Sequence, residues 1–181
     1  MTSVADMIRD AVDHHLAGDL DCAEEQHNRI LRREPDNPGV LHLLGTLAHQ
    51  RGRRDVALDL LRRAIAVDDS IAEFHNTFGV ILQAIGRSDD FLGQAGNALL
   101  LKPDYAEAYN NIAMVWQSKG SFSKAVAYYE RAVQLAPDSG DIHYNLGNAL
   151  RSEGRLNEAA EEYAQALKLK PDYAEAHNNL G

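Results

Sequence analysis

Cysteine is almost missing from this 181-residue chain; Cys22 is the only one. A single thiol closes no intrachain disulfide and builds no cysteine-based zinc site, so the fold must stand on packing alone. Basic runs are missing too. No stretch of five Lys/Arg occurs, and the formal net charge is −9 with a pI near 5.3. That balance argues against nucleic-acid partners, whose phosphates demand a basic face, and against anionic lipid surfaces. No uncharged apolar run approaches the roughly 20 residues that span a bilayer. The first twenty residues carry Asp6, Asp10, Asp13 and Asp19 without an apolar core, so they do not read as a signal peptide. A cytoplasmic protein that binds no membrane is the simplest reading. Also missing are a nucleophile elbow, a glycine-rich phosphate loop and a His-Glu-x-x-His helix. No catalytic residue and no cofactor is therefore expected within these residues. The acidic pairs Asp68-Asp69, Asp89-Asp90 and Glu161-Glu162 read as solvated helix ends and faces.

Proline is scarce, with five residues, but its placement is regular. Pro35, Asp69, Pro103, Pro137 and Pro171 follow one another at intervals of 34 residues, as do Gly18, Gly52, Gly86, Gly120 and Gly154. A fixed period of this length marks a solenoid, in which each unit buries its apolar face only against its neighbours. Aligning Gly45, Gly79, Gly147 and Gly181 gives units 4–37, 38–71, 72–105, 106–139 and 140–173, with a partial sixth over 174–181. Apolar and small residues recur at helical spacing within each unit. Tyr109, Ile112, Ala113 and Trp116 line one face of a first helix, and Ala125, Tyr129 and Ala132 line a second. His143, Leu146, Gly147 and Leu150, then Ala159, Tyr163 and Ala166, repeat the pattern. Small residues let two antiparallel helices approach closely, so Leu at Ala132 should overpack by roughly 1–3 kcal/mol.

The punctuation agrees with the period. Gly52, Gly86, Gly120 and Gly154 fall where a left-handed residue ends a first helix, and the prolines stop each second helix. Ser70 with Glu73, Asp104 with Glu107, and Asp172 with Glu175 read as capping boxes for the helices that follow.

On these residues the chain resembles the tetratricopeptide repeat family along essentially its whole length. Tyr109, Ile112, Ala113, Trp116, Ala125, Tyr129, Ala132 and Pro137 match the family's pattern. The resemblance implies an all-α fold: an α-solenoid, a right-handed superhelix of antiparallel helix pairs in 34-residue units. It also implies that first helices line a concave groove.

Several places depart from the pattern. The first unit's stripe, Val4, Ile8, Ala11, Val12, His15 and Leu16, is rotated relative to later units. In the third unit Phe91 stands where Ala is expected and Ala95 where an aromatic is expected, which reads as a volume-conserving swap over one turn. Gly93 and Gly96 weaken that same helix by about 1 kcal/mol each relative to Ala. Residues 88–101 are therefore the expected softest element, either a hinge or a tolerated weak repeat. The chain stops at Gly181 inside the first helix of a sixth unit. The expectation is a fragment of a longer protein, the alternative being that a short last helix caps the array.

The implied groove is rich in amides: Asn76, Asn110, Asn111, Asn145, Asn148, Asn178 and Asn179, with Thr77, Gln83 and Gln117. An amide supplies an acceptor and two donors, which suits the backbone of an extended peptide. Asn111, Asn145 and Asn179 recur at one position. With Tyr109-Asn-Asn-Ile-Ala, His143-Tyr-Asn-Leu-Gly and His177-Asn-Asn-Leu-Gly they look like the repeat arm of O-linked N-acetylglucosamine transferases, although Leu43 and Thr77 interrupt the ladder in earlier units. The expected function is a protein–protein interaction module that binds an extended peptide in this groove. The alternative is the substrate-selecting arm of a larger glycosyltransferase. A third reading is self-association through the unfinished last helix. The alternative reading of the asparagines is that they are solvated or cap neighbouring turns. The family's clamp for acidic tails needs Lys or Arg where His42, Asn76, Asn110 and Tyr144 stand, so that ligand is not expected. The acids Glu73, Glu107, Asp141 and Glu175 form a second row.

No metal site is expected among the eight histidines. His14 and His15 are adjacent and face different ways. His42 and His49 share a face without a third donor, and His75, His143 and His177 take the aromatic packing position.

Overall fold

The structure is a computed structural model that describes residues 3–180, the Leu180 side chain excepted. The readings that rest on Gly181 lie outside the described residues. The described chain is all helical, and it forms two compact units, Met1–Leu101 and Lys102–Gly181.

In the first unit, α1 (Val4–Leu16) packs on α2 (Leu20–Leu31), α3 (Pro38–Gln50) on α4 (Arg54–Val67), and α5 (Ala72–Ala84) on α6 (Ser88–Leu101). Pairs stack on one another through α2 with α3 and α4 with α5. In the second unit, α7 (Ala106–Ser118) packs on α8 (Phe122–Leu135) and α9 (Gly140–Glu153) on α10 (Leu156–Leu169). There α8 stacks on α9, and α10 on α11 (Ala174–Leu180). These are the expected antiparallel pairs of an α-solenoid.

Each turn inside a pair is made by a glycine with positive φ, from 72° at Gly120 to 87° at Gly154, a conformation that a Cβ penalises. Each second helix from α4 onward stops two residues before the proline position. Proline disfavours the helical region for the residue before it, and Ala136 and Lys170 leave that region at φ −136° and −133°. Asp68 does the same at φ −147° without a proline after it.

The second unit's core joins Ala113, Val126, Tyr129, Leu146, Leu150 and Tyr163. In the first unit Leu41, Leu44, Leu61, Phe74, Ile81 and Leu82 form the equivalent cluster. Glycines on the first helices receive the bulky residues of the second. A Cβ at Gly45 would stand 2.9 Å from Leu61, and one at Gly79 would stand 3.1 Å from Phe91. Phe91 and Ala95 are both wholly buried, so the aromatic reaches Gly79 from one turn earlier, as the swap predicts.

Two expectations fail. The N-caps of α5 and α7 are Ile71 and Tyr105, and neither makes a side-chain cap bond. The helices start one residue later than the capping boxes require. Ser70 instead donates through its hydroxyl and its backbone N–H to Asp68, at 2.6 and 3.0 Å. In α1 the buried residues are Met7 and Ala11, and Leu16 is 82% exposed. Val4 and Ile8 of the stripe pack partly buried against the core of Met7, Ile30 and Val40, so it is the Leu16 end that is left in solvent.

Candidate functional site

Asparagine and histidine side chains tie successive first helices together. In the second unit Asn145 donates its Nδ2 to Asn110 Oδ1 at 3.1 Å. One unit further on, Asn179 Nδ2 lies 3.4 Å from the Tyr144 hydroxyl and donates to Asn148 Oδ1 at 3.1 Å. In the first unit His42 Nε2 meets Thr77 Oγ1 at 2.9 Å. The Asn110–Asn145, Tyr144–Asn179 and His42–Thr77 pairs are each 35 residues apart. A shift of one repeat plus one residue is thus the step that joins neighbouring columns.

Tyrosines of the second helices hold the amides from behind. The Tyr129 hydroxyl donates to Gln117 Oε1 at 2.9 Å, and the Tyr163 hydroxyl to Asn148 Oδ1 at 2.9 Å. Burial pushes both phenols above their ordinary pKa, so each remains a donor in neutral solution. A donor behind the amide fixes its carbonyl inward and leaves the Gln117 amino group to bond elsewhere. Arg151 donates to Asn179 Oδ1 at 2.8 Å.

The structure therefore brings the amides together as two bonded pairs, Asn110 with Asn145 and Asn148 with Asn179, with Asn111 beside Asn110 at 3.5 Å and Gln117 on the same helix. Asn178 is exposed on α11. Asn76 belongs to the first unit and is only 2% exposed, so it is not a surface group. In the acidic row Asp141 is engaged, its Oδ2 pairing with Lys170 Nζ at 2.6 Å.

Sequence reasoning weighed the amides as ligands for a peptide backbone against solvated or turn-capping groups, and did not foresee bonds among them. Tertiary bonds already use several of their donors and acceptors. It also missed the bracing tyrosines, which it read as core aromatics; their spacing from Gln117 and Asn148 carries no distinctive signal. The histidines at the aromatic position do more than pack. His75, His143 and His177 place Nε2 at 3.0, 2.9 and 2.9 Å from the carbonyls of Asp69, Pro137 and Pro171. These carbonyls sit just past the end of the preceding helix, where no intrahelical donor reaches them. The second nitrogens of His75 and His143 meet Gln94 at 2.8 Å and Glu162 at 2.6 Å.

Family models described as tetratricopeptide repeat match residues 17–71, 106–139 and 128–161, and one described as TPR repeat matches 147–181. No curated protein matches the chain. Among solved structures, pilF of Pseudomonas aeruginosa is 17% identical with a TM-score of 0.88, the match covering 96% of this chain and 79% of that one. A thermophilic TPR protein of Thermus thermophilus is 23% identical with a TM-score of 0.80, covering 98% of this chain and 97% of its own. YrrB, described as a TPR protein with an unusual peptide-binding site, is 17% identical with a TM-score of 0.71, covering 97% and 91%. At these identities the likeness is one of fold.

Proposed function

The chain belongs to the tetratricopeptide repeat family of protein-interaction scaffolds, and from that premise we propose that its second unit holds an extended segment of a partner protein along α7, α9 and α11. Asn110, Asn111, Asn145, Asn148 and Asn179 are the groups that meet the segment's backbone, with Gln117 and Asn178 at the margins. The observation that carries this reading is the two bonded amide pairs, Asn110 with Asn145 and Asn148 with Asn179, with Asn148 braced by the Tyr163 hydroxyl and Gln117 by that of Tyr129. Amides locked in place before a ligand arrives lose little rotamer entropy on binding, which raises affinity without adding contacts. A row spaced along successive helices suits the repeating N–H and C=O groups of an extended chain and reads little of its side chains. The described solved structure of YrrB with its peptide-binding site is in keeping with such a role.

The test is capture of proteins by the chain beside its Asn111→Ala/Asn145→Ala variant, followed by affinity measurement with synthetic peptides from the captured partner. Loss of roughly tenfold or more in peptide affinity at unchanged helicity supports the reading. Equal affinity in wild type and variant overturns it.

A further inference from the structure

The turn between α1 and α2 gathers three metal-ligating atoms that take no part in the amide row. His14 lies in the last turn of α1, Asp19 is the N-cap of α2, and Cys22 follows in the first turn of α2. Their nitrogen, carboxylate oxygen and sulfur all lie within 4.8 Å of one another. The sequence reading set His14 aside because His15 beside it points elsewhere. It did not foresee that the turn folds an acid and a thiol onto His14.

The local backbone builds this cluster. Gly18 takes φ +79°, and Asp19 N–H donates to the His14 carbonyl at 2.9 Å, so the reversal sets Asp19 directly beside His14. Asp19 then divides its work. Its Oδ1 accepts the Cys22 N–H at 3.2 Å and caps α2, while its Oδ2 lies 3.3 Å from His14 Nδ1. Two ligands around one tetrahedral zinc ion sit roughly 3.5 Å apart, given bonds of about 2.0–2.3 Å. His14 Nδ1 and Asp19 Oδ2 already have that separation, and Cys22 Sγ lies within 4.8 Å of both. On the far side of the ring, His14 Nε2 is 4.0 Å from Asp10 Oδ1. At that distance the carboxylate is beyond hydrogen-bond reach and lends the ring only its negative charge. The three groups are half-exposed, so an ion and its water can enter.

We propose that His14, Asp19 and Cys22 bind one divalent transition-metal ion of the zinc class, with solvent completing the tetrahedron. Imidazole, carboxylate and thiolate together suit zinc, whereas oxygen-only sites suit calcium or magnesium. On binding, the Cys22 thiol gives its proton to solvent and the sulfur donates as thiolate. The ion bridges the end of α1 to the start of α2, so it also clamps the first helix pair.

The test is titration of the reduced chain with Co2+, followed by displacement with Zn2+. A near-ultraviolet thiolate-to-cobalt charge-transfer band reports Cys22 specifically, since the other histidines cannot produce it. Expected are one ion per chain, loss of the band in Cys22→Ser, and affinity lowered roughly tenfold or more in His14→Ala and Asp19→Asn. Asn keeps the N-cap, so Asp19→Asn separates ligation from helix capping. Absence of the band overturns the proposal. So does one ion per two chains, which would mean thiolates from two copies, or a band of unchanged affinity in His14→Ala.

Discussion

Gly147 lies directly under the ring of Tyr163: a Cβ built on it would stand 2.6 Å from Cε1 and 2.8 Å from Cδ1. The glycine is what lets α9 and α10 close to contact there, and the same ring carries the hydroxyl that holds Asn148. Gly147→Ala should therefore lower unfolding free energy by about 1–3 kcal/mol in a denaturant titration and shift the Tyr163 hydroxyl from Asn148. An unchanged midpoint would mean that the ring moves aside freely.

The hydrogen bond itself can be isolated. A double-mutant cycle of Tyr163→Phe and Asn148→Ala should give a coupling energy of about 0.5–1.5 kcal/mol from denaturant melts. Coupling near zero would show that the amide is held by other groups.

The exchange of Phe91 and Ala95 predicts a rescue. Phe91→Ala empties a fully buried site and should cost about 3–5 kcal/mol. Adding Ala95→Phe to that variant restores an aromatic from the neighbouring turn and should recover part of the loss, read as a higher thermal midpoint than the single variant. In the same helix, a Cβ at Gly93 or Gly96 meets nothing within 4 Å. Gly93→Ala and Gly96→Ala should each stabilise by about 1 kcal/mol.

His27 should make the first unit acid-sensitive. Its ring is fully buried on α2, and neither nitrogen has a hydrogen-bond partner among the described residues. Burial, with a smaller push from the neighbouring His15, lowers its pKa to about 4. The unfolded chain, with an ordinary histidine near 6.5, binds the proton more readily between these two values. Stability from this group is thus complete above pH 6.5 and falls as pH drops toward 4, by up to about 3 kcal/mol. His27→Leu, which places there the residue found at Leu61 34 positions later, should flatten the pH profile of the melting midpoint over that window and raise stability at neutral pH. A profile as steep as wild type would assign the acid response to other groups.

How much was legible beforehand differs from residue to residue. The glycines at 18, 52, 86, 120 and 154 announced their turns because positive φ is a backbone demand that side chains cannot disguise. Helix starts were less legible. Ser70 and Asp104 carry the chemistry of an N-cap, yet α5 and α7 begin a residue later, because packing of the pair rather than local capping fixes the entry. Asn145 was identified as a groove residue, but its bond to Asn110 depends on how far one helix is offset against the next. Asn76 looked the same in the sequence and is buried.

The sequence by itself determined the fold class and the period of helix pairs, since hydrophobic spacing, glycine turns and proline stops act within a few residues of where they are written. Tertiary structure alone decided which amide hydrogen bonds are already used, which hydroxyls brace them, and that His14, Asp19 and Cys22 converge. Those outcomes depend on distances between side chains that the backbone brings together, and angstrom-scale differences in helix offset decide whether a donor meets an acceptor.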